Sequence, residues 1–121
     1  MNGEIVGSLY GKVWGTTRCL FIKNNTEIHR ITINKGGFCS KHKHQSKFNG
    51  FFLESGKLKI KVWKNNYDLC DEIIMNPGDF TTVNPMEFHQ FEALQDCIAF
   101  EVYWSELDPE DIQRDNCGGI K

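Results

Sequence analysis

Two histidines one residue apart, His42 and His44, sit within the stretch GGFCSKHKHQSKFNGFFLESG, residues 36–56. On an extended chain the side chains at i and i+2 leave the same face, so both imidazoles can converge on one point. Neutral imidazoles are good ligands for a borderline or transition-metal ion, which takes three or four such donors. His89, about half a chain away in NPMEFHQF, is the candidate third. A basic, solvated strand would also read KHKH.

Holding such a site requires extended elements, and short strands with frequent turns run through the chain. Residues 1–18 carry Gly3, Gly7, Gly11 and Gly15, which suggests short strands and turns. Residues 19–23 and 28–34 flank Asn24-Asn25 and read as a hairpin, with Lys35-Gly36-Gly37 turning into a strand that bears His42 and His44. His29 shares a face with Ile31 and Ile33 and reads as an ordinary strand residue. Phe51-Phe52-Leu53 reads as a buried strand ending in a turn at Glu54-Ser55-Gly56. In the following KLKIKVW, Leu58, Ile60 and Val62 alternate with a solvated face of Lys57, Lys59 and Lys61. After a turn at residues 64–67, strands are predicted at 71–75, 80–83, 88–92 and 97–104, with a strong turn at Asn76-Pro77-Gly78-Asp79. The end differs in kind: Asp108 as N-cap and Pro109 at the first helical position predict a short helix to about Arg114, stopped by Gly118-Gly119. The fold class is therefore all-β, a barrel or sandwich over residues 19–104 with a short helical tail over 105–121.

Composition narrows the function. A chain of 121 residues is one domain, and a formal net charge of −2 offers no electrostatic case for nucleic acid or an anionic membrane. Nothing reads as a signal peptide or a membrane span, so a cytoplasmic location is expected. Five scattered cysteines without a C-x-x-C argue against a disulfide scaffold and a thiolate zinc site. Cys39, counted back from His42, falls out of phase with the histidines and is not taken as a ligand.

Gly36, five residues, His42-x-His44, four residues, Asn49, six residues and Gly56 resemble the first cupin motif, with Asn49 where that motif usually has Glu. Pro77-Gly78-Asp79, nine residues and His89 resemble the second. The resemblance implies a single cupin domain, a double-stranded β-helix or jelly-roll barrel. It also implies one divalent transition metal (Zn, Fe, Ni, Co or Mn) on His42, His44 and His89, with Asn49 at the fourth position. Over residues 13–119 the chain is further similar to the cupin-type mannose-6-phosphate isomerase domain. That likeness rests on Val13-Trp14-Gly15, on HRITINKGGFCSKHKH, and on FEVYWSELDPEDIQRDNCGG with Asp111, Ile112 and Arg114 in the family's ending. The chain departs from that pattern at Gln45, where an Arg follows the histidine pair, and at Gly50-Phe51, Ala93 and Cys117-Gly118-Gly119. The likeness implies a sugar or sugar-phosphate ligand and a homodimer through the N-terminal strands, with Trp14 and Phe21 as contacts.

Three functions remain open on the residues. An aldose–ketose isomerase needs a base, for which Glu101 and Glu87 are the candidates, with Gln45, Lys47, Tyr103 and Arg114 as ligand contacts. A three-His iron dioxygenase is compatible with the missing carboxylate. A non-catalytic binding or regulatory cupin is compatible with the missing Arg contacts. With Asn49 in place of Glu, a bound ion keeps its full double charge, which weakens its hold on the site while attracting anionic or polyhydroxy ligands.

Overall fold

Period-two alternation of apolar and polar residues marks much of the chain, and among the described residues the structure turns it into strands and no helix. The computed structural model describes residues 6–64, 69–105, 110–111 and 118–121. The strands are β1 (Leu9–Lys12), β2 (Gly15–Lys23), β3 (Thr26–Ile33), β4 (Phe48–Ser55) and β5 (Leu58–Trp63). They continue with β6 (Asp71–Met75), β7 (Phe80–Val83), β8 (Phe88–Ala93) and β9 (Cys97–Trp104). Apart from residues 110 and 111, the predicted helix from Asp108 to Arg114 lies outside the described residues, as does most of the turn at 64–67. No helix among the described residues is long and apolar enough to cross a membrane.

One sheet has the order β1-β2-β3-β9-β4-β7 and the other β6-β5-β8, with antiparallel pairing throughout. Inward residues of both sheets meet in one core: Ile31 and Ile33, Phe51 and Leu53, Leu58 and Ile60, Phe91 and Ala99 are all buried. This is an all-β jelly roll of two packed antiparallel sheets. Hairpin chemistry explains its corners. Asn24 adopts φ 52 between β2 and β3, as an Asn in a tight turn readily does. Gly56 turns β4 into β5 at φ 93, and a Cβ there would lie 2.2 Å from the Asp96 carbonyl oxygen.

β3 starts two residues earlier than predicted and β4 extends over Phe48–Ser55, and two differences go further. β2 starts at Gly15, because Thr16, Thr17 and Arg18 pair with Thr32, Ile31 and Arg30 of β3 before a bulge between Cys19 and Phe21. The predicted histidine strand is instead an irregular extended segment touching β8 at isolated bridges, Phe38 with Glu92 and His42 with His89. Between those pairs the segment advances four residues while β8 advances three. The extra residue is a bulge, and a bulge exchanges the faces of everything beyond it.

Candidate metal centre

The bulged segment is pinned at both ends. Before the histidines, Gly36 N–H donates to the Ala93 carbonyl (2.8 Å) and Ala93 N–H to that of Gly37 (2.9 Å). At them, His42 and His89 exchange N–H···O bonds of 3.1 and 2.8 Å. Beyond, Met86 N–H donates to the His44 carbonyl at 2.7 Å, from a turn in which Met86 holds φ 68. His42, His44 and His89 are thereby collected, each offering a ring nitrogen within 4.8 Å of the others.

The hydrogen bonds behind the rings set which nitrogens point inward. His42 Nδ1 lies 2.8 Å from the Ser40 carbonyl oxygen, and His89 Nδ1 lies 3.0 Å from that of Glu87. A carbonyl only accepts, so each Nδ1 carries the proton and each Nε2 presents a lone pair. Backbone carbonyls often orient metal-ligating histidines in this way. His44 Nε2 is buried without a hydrogen-bond partner. His89 Nε2 faces Asn49 Oδ1 at 3.1 Å, two acceptors opposed, while Asn49 Nδ2 donates to the Gly50 carbonyl at 3.3 Å. Reversing the amide would mend the first contact and oppose two oxygens in the second. Converging lone pairs with no proton between them are a cradle for a cation. Ligation at about 2.0–2.1 Å requires nitrogens roughly 3.3 Å apart, a closure within reach of ring rotation.

Burial pushes His44 down to about 4, helped by the neighbouring His42 and His89. Burial likewise holds His89 below the usual imidazole range. Both rings are neutral at pH 7, the form that ligates.

His42 and His44 of the triad border a cavity of about 450 Å³ walled by residues of β1, β2, β3, β4, β8 and β9. Across three of these strands the register makes two inward rows: Glu27 beside Tyr103 beside Asn49, and His29 beside Glu101 beside Phe51. Tyr103 O–H donates to Glu101 Oε2. Burial, then the Glu101 charge, raises the phenol well above its usual pKa, so it stays a donor. Its ring meets those of His44 and His29 edge-on at 5.1 and 5.9 Å. Burial alone would raise Glu27, but its hydrogen bond with His29 (3.1 Å) and the Lys47 ammonium (3.4 Å) hold it below the ordinary carboxylate range.

Of the residues predicted to bind or catalyse, Lys47, Glu101 and Tyr103 therefore line the cavity with His42 and His44, and Asn49 touches His89. Glu87 does something else. Its carboxylate accepts from Asn84 N–H at 2.9 Å, closing the turn before β8, and its carbonyl holds His89. Gln45 is exposed on the bend after His44 and does not line the cavity, and Arg114 lies outside the described residues. Trp14, expected at a dimer contact, packs edge-on against Phe91 at 5.0 Å and lines the cavity. Phe21 is exposed at 43%. Cys39 also lines the cavity, because the bulge reverses the phase that parity assigned to it. Its thiol accepts from Phe91 N–H at 3.2 Å, and burial pushes it up to about 12. Glu27 and His29 were missed as site residues; the available signal was their parity with Ile31 and Ile33, all on the buried face of β3.

No protein-family model matches the chain, and no curated protein matches it by sequence. Solved structures do. The capsular polysaccharide assembling protein CapF from Staphylococcus aureus superposes with a TM-score of 0.69 at 21% identity, over 86% of this chain and 32% of its own. The chain thus spans about a third of the length of that protein. KdgF from Halomonas sp. superposes at 0.71 with 12% identity, covering 88% of this chain and 94% of its own. The Cnp3 cupin domain of Schizosaccharomyces pombe superposes at 0.68 with 10% identity, covering 82% and 69%. At these identities the likeness establishes architecture alone. The chain has the cupin fold, and His42, His44 and His89 form a candidate divalent-metal centre at the wall of its barrel cavity.

Proposed function

We propose that the protein is a divalent-metal-dependent cupin that takes a sugar or sugar phosphate and moves a proton on it, as an aldose–ketose isomerase does. The observation that carries this is the Glu101–Tyr103 pair in the cavity that His42 and His44 line. A bound ion would polarise adjacent ligand oxygens. The chain's own groups do the rest. Glu101 is the proton acceptor and donor, and the Tyr103 hydroxyl holds its carboxylate in place. Lys12 and Lys47 offset Glu27 and Glu101 among the lining residues, so an ion makes the cavity net positive and favours an anionic or polyhydroxy ligand. The resemblance to the mannose-6-phosphate isomerase domain points to a hexose phosphate, while exposed Gln45 in place of Arg points to weak turnover of mannose 6-phosphate itself.

The test is deuterium incorporation at C2 of hexose phosphates in deuterated water with added metal. Glu101→Gln is expected to lower exchange by about 10²–10⁴ with metal affinity unchanged. Undiminished exchange in that variant removes Glu101 as the base. A second reading follows from the neutral Asn49 in place of a carboxylate, which suits a three-His iron oxygenase. Iron-dependent oxygen uptake without C2 exchange would select it, and absence of both would leave a binding module.

A further inference from the structure

The segment carrying His42 and His44 reads Lys-His-Lys-His, and its lysines do as consistent a thing as its histidines. Lys41 Nζ sits over the Trp63 ring, 4.0 Å from its centroid, and 5.5 Å from that of Phe88. Lys43 Nζ sits 4.8 Å from the Phe88 centroid. Trp63 and Phe88 are cross-strand neighbours at the end of the β5–β8 pair, on the face opposite Val62 and His89. Both lysines and Phe88 are exposed, so this cluster is not needed to fill the core. Two ammonium groups beside a site for a doubly charged ion repel that ion unless they are drawn away from it. Aromatic faces on the outer wall do this, and they add attraction to a segment that a bulge has cut out of the regular ladder.

We propose that Trp63 and Phe88 are positioning residues for the metal centre, gripping Lys41 and Lys43 from outside so that His42 and His44 are held inward. This rests on the metal reading above for its consequence, though not for the grip itself. Amide hydrogen exchange at residues 41–45 of the metal-free protein measures the grip. Cobalt(II) titration, followed by its visible absorption, measures the consequence. Trp63→Leu and the double variant Lys41→Met/Lys43→Met are expected to exchange five- to tenfold faster at His42 and His44, and to bind cobalt about five- to tenfold more weakly. Their urea midpoints are expected to stay near wild type. Trp63→Phe and Lys41→Arg/Lys43→Arg, which keep a ring and a cation, are expected to restore both readouts. The double variant changes only exposed side chains, so it decides the matter even if Trp63→Leu folds poorly. Unchanged exchange, or unchanged cobalt affinity beside a binding wild type, overturns the proposal. A wild type that takes no cobalt removes the metal reading, and exchange alone then decides the grip.

Discussion

A carboxylate at position 49 would bring a full negative charge to a bound ion, whereas the Asn49 amide brings only a dipole. Asn49 is buried, 1% exposed, with its oxygen aimed at His89 Nε2. Asn49→Glu is therefore expected to tighten manganese binding tenfold or more, about 1.4 kcal/mol, as measured by titration. In the metal-free state the same substitution buries an uncompensated charge and is expected to lower the urea midpoint. Affinity unchanged across several metals would mean that Asn49 gives no ligand atom. Cys39 supplies a prediction of the opposite kind. Its thiol titrates near 9.0 when unperturbed and is pushed up to about 12 by burial. A raised folded value stabilises fully below the unfolded one and is lost as pH rises through the folded one. Stability is thus expected to fall progressively above pH 9, and more steeply in wild type than in Cys39→Ala, by urea unfolding at a series of alkaline pH values.

At the scale of elements, the turn between β4 and β5 tolerates no side chain. Gly56→Ala puts a Cβ 2.2 Å from the Asp96 carbonyl oxygen at φ 93, a backbone clash that a rotamer change cannot relieve. A loss of about 2–3 kcal/mol is expected in denaturant unfolding, and less than 0.5 kcal/mol would show that the turn reshapes freely. That turn was legible because glycine at a strand end has one physical meaning. So were β6, β7 and β9, whose bounds match the predicted strands between turn residues. The segment at residues 38–44 was harder to read. Its histidine spacing pointed to a metal site, yet its bulge was invisible, since an extra residue leaves no mark on composition. Parity therefore put Cys39 out of phase with the histidines, whereas it lines the same cavity as His42 and His44. Glu87, the other candidate base, sits in a turn where its carboxylate accepts from the Asn84 amide, a local bond that its residue type alone does not reveal. In the regular strand β3 the same parity held, and there it was His29 that went unused.

Over the whole molecule, a triad drawn from chain ends of a long loop cannot exist in a partly folded state. The reciprocal bonds between His42 and His89 form only when β8 is in place and the bulged segment has docked on it. An ion that binds this pair and ignores the unfolded chain stabilises the fold by mass action, about 2.7 kcal/mol at a hundredfold excess over its dissociation constant. The melting temperature is then expected to climb by several degrees with free metal in wild type and to stay flat in His89→Ala, as read by calorimetry. Equal slopes in the two proteins would place the ion elsewhere. Local opening obeys the same linkage: an ion held by both sides must leave before the segment can lift from β8. Metal supply would then act as a clock on the cavity wall, setting how often it opens as well as what it binds.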